Sequence, residues 1–322
     1  ASPLAGALAR RLAASALPGE DGLGDTALAE AARFMLETAD ARARGASAVA
    51  IETVTGADGR RFMRLAVINE DMPFLVDSIA TTVSAHGLVI DRLLHPVVPV
   101  ERNGAGRITA LPEGEAPGVQ RESLVYLETP RADARTRTAL GAALESTLAD
   151  VRAAVADWPA MQRAMGADAD RLAAMDREEG AALLRWFRDG MLTQLGHVRR
   201  LRAGGLETPL GICRASQAPL LSDESYARAF HWFDTQLGKG GGRLPLVVKS
   251  NLIARVHRRV PLDLFIVPEI EGGTVVALSV HAGVWTSAAL ATPPQLVPRM
   301  RAQLSKLTAT LGFSTSGHAG KA

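Results

Sequence analysis

Cysteine is almost absent from this chain of 322 residues: Cys213 stands alone. That excludes an intramolecular disulfide framework and any zinc site built on paired thiolates. Lysine is scarce as well, with Lys239, Lys249, Lys306 and Lys321 against 32 arginines. Thirty-four acidic residues bring the formal charge to only +2, so there is no electrostatic footprint of a nucleic-acid binder. No apolar run approaches the roughly 20 residues of a membrane span. Residues 1–20 are alanine-rich and contain Arg10 and Arg11, without the continuous apolar stretch and cleavage site of a secretory signal. The expectation is a cytoplasmic chain with neither nucleic acid nor membrane as partner. A composition of 47% hydrophobic and 22% charged residues suits a globular protein, and the length favours two domains.

Residues 26–44 carry Leu28, Ala32, Phe34, Met35 and Leu36 at helical spacing, and residues 1–44 read as a helical lead-in. Residues 47–54 and 62–68 are β-branched runs separated by Gly56-Ala57-Asp58-Gly59, a hairpin signal. The period then changes. Asp71 is placed to cap a helix whose first turn tolerates Pro73, with Leu75, Ile79, Val83 and His86 on one face and Gly87 at its end. Residues 88–100 return to strand character, with Pro96 and Pro99 favouring an edge or a bend. A strand at 123–128 precedes a long helix carrying Leu140, Leu144, Leu148, Val151, Val155 and Trp158, which Pro159 is expected to close. Residues 161–175 read as a helical connector. A helix at 178–189 follows, then strands at 193–201, 208–214, 246–250, 254–257, 262–267, 275–281 and 284–287, and a closing helix at 294–310.

Catalytic fingerprints are missing. The glycine run Gly238 to Gly242 with Lys239 fits neither the P-loop nor the dinucleotide spacing and precedes a strand, so it reads as a flexible loop. The seven histidines include no pair at metal-ligand spacing, and no metal is expected. His197, His257 and His281 all fall on predicted strands and could converge in space, though histidines satisfied within a core are the simpler reading. Arg255, His257, Arg258 and Arg259 concentrate positive charge and are candidate anion-binding residues. No G-x-S-x-G elbow occurs, and Cys213 follows an apolar strand where a buried thiol is ordinary.

The string N-E-D-M-P-F-L-V-D-S-I, Asn69 to Ile79, resembles the D-x-P-G-x-L-x-x-I signature of ACT regulatory domains. That resemblance implies a small amino-acid effector bound at the strand-to-helix loop, where helix-start amides face a carboxylate. Asn69, Asp71, Met72, Phe74 and Leu75 are the effector-binding or interface candidates. Phe74 stands where the signature has glycine and favours an interface.

Longer blocks point to one family. M-P-F-L-V-D-S-I, H-P-V-V at His95 to Val98, V-A-D-W-P-A-M ending at Met161, L-R-W-F-R-D-G ending at Gly190, V-K-S-N at Val248 to Asn251, V-H-R-R-V-P-L-D at Val256 to Asp263, W-T-S-A-A at Trp285 to Ala289 and the closing G-F-S-T-S-G-H-A-G-K-A are similar, in order, to the amino-terminal part of the large bacterial NAD-specific glutamate dehydrogenases. The resemblance implies an α+β fold, with an ACT-like, ferredoxin-like module of antiparallel sheet and two helices at residues 45–160. A helical connector at 161–190 and a PAS-like α+β module with a C-terminal helix at 191–322 would follow. It implies a regulatory or assembly fragment without catalytic residues or cofactor, NAD belonging to the parent enzyme, and partners among that enzyme's other modules and subunits in a homo-oligomer. A rival expectation is a stand-alone enzyme acting on a carboxylate substrate through His257, Arg258 and Asp263.

Overall fold

The computed structural model describes residues 2–16, 22–40, 42–43, 45–114, 119–215, 219–238, 244–292, 294–298, 300–303 and 306. The chain divides into two units, Ala1–Ala149 and Asp150–Ala322. Each is α+β with one antiparallel sheet.

The first unit opens with α1 (Pro3–Ala14) and α2 (Asp25–Asp40). The hairpin β1 (Ala48–Thr55) and β2 (Arg61–Glu70) follows, paired from Ala48 opposite Ile68 to Thr55 opposite Arg61, with Gly59 at φ 76° in the turn. Helix α3 (Leu75–Ala85) comes next, ended by Gly87 at φ 73°. The run expected as one strand at 88–100 is two, β3 (Arg92–Leu94) and β4 (Val97–Arg102). His95-Pro96 separates them, because proline supplies no ladder donor at that step. Short β5 (Ile108–Ala110) and long β6 (Gln120–Pro130) complete a sheet of order β1-β2-β6-β4-β5, β3 also pairing with β6.

The lead-in is an integral layer rather than an appendage. Leu8 and Leu12 of α1 and Ala31, Phe34, Met35 and Ala39 of α2 bury against Ala66, Ile68, Val98, Leu124 and Tyr126 of the sheet. The other residue parity of β2 and β6, with Leu65, Val67, Val125 and Leu127 at 1% exposure or less, points to the opposite face. Helix α3 offers Leu75, Ile79 and Val83 as its own buried face. The sheet is therefore apolar on both faces, as central strands covered by helices must be.

Helix α4 (Ala134–Ala174) has 41 residues and begins in the first unit and ends in the second. Pro159 does not close it. A proline forfeits the amide bond to the residue four positions back, but Met161, Met165, Ala169 and Leu172, all fully buried, carry the apolar face onward, so the expected connector is more of the same helix.

The second unit continues with α5 (Glu178–Trp186) and a wide turn, Phe187–Met191, where Gly190 takes φ 110°. Strands β7 (Leu192–Leu201) and β8 (Leu206–Gly211), helices α6 (Ile212–Ala215) and α7 (Asp223–Gly238), strands β9 (Leu246–Ile253), β10 (Pro261–Glu271) and β11 (Thr274–Trp285), and short α8 (Ser287–Ala291) follow. The sheet order is β8-β7-β11-β10-β9. Both sheet faces are again used. On one, α7 lies under arginines of β7 and its following turn: Arg200 stacks over Tyr226 at 5.0 Å and Arg202 over Phe230 at 4.6 Å. On the other, His197, Ser279 and His281 face α4.

Three expectations change here. Residues 254–257 are not a strand but an irregular turn, closed by Ala254 N–H on the Val260 carbonyl at 2.8 Å and holding His257 at φ 67°. The strands expected at 275–281 and 284–287 merge into one, β11, which ends at Trp285, with a register shift between Ala282 and Gly283; Thr286 is the N-cap of α8, which starts at Ser287. Residues 212–214 start α6 instead of extending β8. Of the closing helix expected at 294–310, residues 294–297 are not helical, 298, 300–303 and 306 are helical, and 299, 304–305 and 307–310 lie outside the described residues, as does the glycine loop beyond Gly238, which ends α7.

Candidate functional site

In the first unit β2 delivers Asn69 and Glu70 opposite Ser123 and Glu122 of β6. Asn69 is 1% exposed and its side-chain amide donates to the Glu70 carbonyl at 2.7 Å. Asp71 N–H donates to the Arg121 carbonyl at 3.0 Å, holding the loop on the sheet end. Asp71 does not cap α3. Proline disfavours helical geometry in the residue before it, so the helix cannot start until after Met72-Pro73. The N-cap is Phe74, at φ 71° and ψ 1°, with no side-chain cap, and its carbonyl accepts from Ser78 N–H at 3.1 Å. Glycine adopts this left-handed backbone freely, whereas an L side chain pays for it. Of the five candidates, Asn69 and Leu75 are buried, Met72 and Phe74 half-buried and Asp71 exposed. His95 sits beside them, bonded to the Ser123 hydroxyl; burial lowers its pKa against the raising charge of Asp71.

The same sheet end holds a polar cluster invisible in the linear sequence. Glu122, 1% exposed at its side chain, accepts from Arg42 Nη2 at 2.5 Å and from Arg102 Nε and Nη2 at 2.8 and 2.7 Å. Arg102 also donates to the Ala39 and Gly106 carbonyls, and Arg42 Nη1 lies 3.8 Å from Glu70. A cavity of about 600 Å³ opens beside these residues, lined further by Asn103, Thr109 and Gln120.

In the second unit the four anion-binding candidates have separate surroundings. Arg255 is taken by Asp150, with Nε and Nη2 at 2.9 and 2.7 Å from Oδ2. Arg258 donates to the Trp285 carbonyl, and burial lowers its pKa. Arg259 is exposed, and His257 is half-buried in the turn. Asp263 pairs with Lys249 at 2.8 Å. Arg258 and Asp263 of the expected catalytic trio are thus engaged by a backbone carbonyl and a lysine.

Two histidines do converge, without His257. His281 Nε2 lies 2.6 Å from Asp168 Oδ2, which also accepts from the Ser279 hydroxyl, while Gln194 Nε2 meets His281 Nδ1 at 3.1 Å. Arg171 holds the other oxygen of Asp168. Burial alone would raise Asp168, but the hydrogen bond and charge of His281, the Ser279 hydroxyl and the Arg171 charge outweigh it, and its pKa falls. His281 is 0% and Asp168 2% exposed, so no substrate reaches them and the cluster is a packing element.

Asp168 is one of three α4 carboxylates that hold the second unit's sheet side. Asp150 takes Arg255, and Asp157 Oδ2 accepts from Gly211 N–H and Arg214 Nε, both at 2.8 Å. Separations of 7 and 11 residues put all three within about 20° on a helix of 3.6 residues per turn. That spacing was present in the sequence, but ending the helix at Pro159 cut it in two. Among the described residues, no group of three or more His, Cys, Asp or Glu side chains could hold a metal, and no helix is long and apolar enough to cross a membrane.

Residues 10–144 match the family described as Glutamate dehydrogenase, ACT1 domain. The NAD-specific glutamate dehydrogenase of Pseudomonas aeruginosa is 29% identical over 282 residues, covering 79% of this chain and 17% of its own length. That of Halomonas elongata is 28% identical over 284 residues, covering 80% and 17%, and that of Mycobacterium tuberculosis 27% identical over 201 residues, covering 57% and 12%. The chain spans about one sixth of the length of the first two relatives. A solved RNA-binding light-oxygen-voltage receptor shares 10% identity over 93% of this chain and 89% of its own at a TM-score of 0.18, a likeness that assigns no fold family to the second unit. Residues 10–144 therefore belong to the glutamate dehydrogenase ACT1 domain family, and the chain is related to a region of the NAD-specific glutamate dehydrogenases.

Proposed function

We propose that this chain is a cytoplasmic, non-catalytic regulatory and assembly region of an NAD-dependent glutamate dehydrogenase, the parent enzyme converting L-glutamate to 2-oxoglutarate and ammonia with NAD. Its partners are other modules and subunits of that homo-oligomeric enzyme, and its second unit is a PAS-like companion to the ACT1 domain. The observation that carries the reading is the strand-to-helix loop from Asn69 to Leu75. There the ACT1 domain keeps the left-handed backbone that the signature glycine would take, yet fills it with the half-buried ring of Phe74. A bulky ring at a helix start obstructs close approach of a ligand to the amides and supplies an apolar contact for a neighbouring module, so the loop serves assembly ahead of effector capture.

Two measurements on the purified chain test this. Sedimentation velocity is expected to show self-association that weakens in Phe74→Gly. A thermal-shift series with the common amino acids, NAD, NADH and nucleotides is expected to leave the midpoint unmoved, since a ligand at a hundred times its Kd would add about 2.7 kcal/mol. An amino-acid shift abolished by Asp71→Ala would replace assembly with effector sensing at the same loop. Turnover of glutamate with NAD by the chain alone would overturn the non-catalytic reading.

A further inference from the structure

The second unit contains a cavity of about 240 Å³ that the dehydrogenase resemblance does not assign. Its walls are aliphatic: Leu195 of β7, Ile212 of α6, Leu220, Leu252 of β9 and Leu262 of β10. Ile212 reaches this place because Gly196 and Gly211 let α6 lie on β7; a Cβ at Gly196 would stand 2.8 Å from Ile212 and 2.9 Å from the Cys213 sulfur. Ile253, 46% exposed, also lines the cavity and brings it to the surface. The volume exceeds the roughly 150 Å³ at which an apolar protein cavity admits benzene.

One charged pair, Asp150 with Arg255, completes the lining. Asp150 is 5% exposed at its side chain. Both guanidinium contacts go to Oδ2, and Oδ1 is buried with no hydrogen-bond partner among the described residues. A buried carboxylate oxygen without a donor is unfavourable, and a charged donor satisfies it best.

We propose that this cavity is a binding site for a small aliphatic primary ammonium compound, its nitrogen donating to Asp150 Oδ1 and its hydrocarbon filling the leucine and isoleucine walls. An anionic ligand is opposed by the carboxylate, and a wholly apolar one leaves Oδ1 unsatisfied. Burial pushes Asp150 upward against the lowering charge of Arg255, and a bound ammonium adds a second lowering influence. The site is independent of the loop at Asn69 to Leu75 and does not rest on the assembly reading.

Calorimetric titration of the whole chain with isoamylamine, isoamyl alcohol and isovalerate tests the assignment. Isoamylamine is expected to bind saturably, at least tenfold tighter than the alcohol, with isovalerate silent. Asp150→Asn should weaken the amine at least tenfold. Because that change also removes the charge that Arg255 pairs with at position 150, Ala254→Leu is the second variant: Ala254 lines the cavity at 2% exposure, and the larger side chain fills it while keeping the charge pair, so amine binding is lost. Equal affinity for amine and alcohol, retention of the amine in either variant, binding of isovalerate, or no binding of any probe overturns the proposal.

Discussion

His197 and His281 stack with ring centroids 4.6 Å apart and planes inclined by 26°, and only His281 is hydrogen-bonded to a carboxylate, that of Asp168. The two rings lie opposite each other on β7 and β11. His197, 6% exposed, has Nδ1 buried with no partner among the described residues.

This asymmetry predicts acid sensitivity in the second unit. Burial first, and the charge on His281 second, push the pKa of His197 down to about 3. Between pH 6.5 and 3 the unfolded chain binds a proton that the folded unit refuses, so stability falls as pH drops, by up to about 1.4 kcal/mol per unit. Urea denaturation at pH 7.5 and 5.0 is expected to show that loss, and His197→Leu to flatten it. An unchanged slope in the variant would assign the acid sensitivity elsewhere. Asp168 acts lower: its depressed pKa gives stability present above the ordinary aspartate range near 4 and lost as pH falls through its folded value.

Phe74 separates backbone from side-chain energetics. At φ 71° alanine keeps the left-handed cost and loses the ring, while glycine loses the ring and sheds the cost. Phe74→Gly is therefore expected to be more stable than Phe74→Ala by about 1 kcal/mol in chemical denaturation. Equal stabilities would mean the helix start relaxes out of this conformation.

Among the described residues, Glu122 is the one carboxylate that both Arg42 and Arg102 contact within hydrogen-bonding distance. Removing its charge strands two guanidinium groups whose side chains are 2% and 16% exposed. Glu122→Gln should cost about 3–5 kcal/mol, the usual penalty for breaking a buried ion pair from one side. A loss below about 1 kcal/mol would show that water reaches the pair through the adjoining cavity.

Gly211 meets a harder constraint than Gly59, although both have positive φ, 60° and 76°. A Cβ at Gly211 would fall 2.1 Å from the Leu195 carbonyl oxygen, whereas nothing lies within 4 Å at Gly59. Gly59→Ala should cost about 1 kcal/mol and Gly211→Ala at least about 2 kcal/mol, read as midpoint shifts in parallel denaturation curves. Similar losses would show that backbone conformation alone decides both.

Local elements were legible where one signal dominated. The hairpin around Gly59, the end of α3 at Gly87 and the apolar face of α3 follow from period and turn chemistry, and the structure keeps them, whereas strand character expected from residue 88 begins only at Arg92. Helix α7 passed unread although buried Tyr226, Ala229, Phe230 and Phe233 recur at helical spacing, because Arg228, His231 and Trp232 interrupt any apolar run. Helix α4 was read short because proline usually terminates helices, and here the buried methionines on its far side outweigh one missing hydrogen bond. The candidate sites were legible only as far as they are contiguous. Asn69 to Leu75 is one stretch, so its place at a helix start could be anticipated, while the left-handed Phe74 could be read only from the glycine it replaces. Asp168 and His281 are 113 residues apart, and Arg42 and Glu122 are 80 apart; no linear spacing announces such pairs.

The three aspartates along α4 also constrain how this region can change length. Each contacts a different partner across the second unit: the Arg255 turn, the Gly211 amide and Arg214, and the Ser279–His281 strand. Adding or removing one residue between Asp150 and Asp168 would turn one end relative to the other by about 100° and shift it about 1.5 Å, so the carboxylates could no longer reach their partners together. Side chains on the outer face of the helix are free to drift, but the count of residues between those anchors is not.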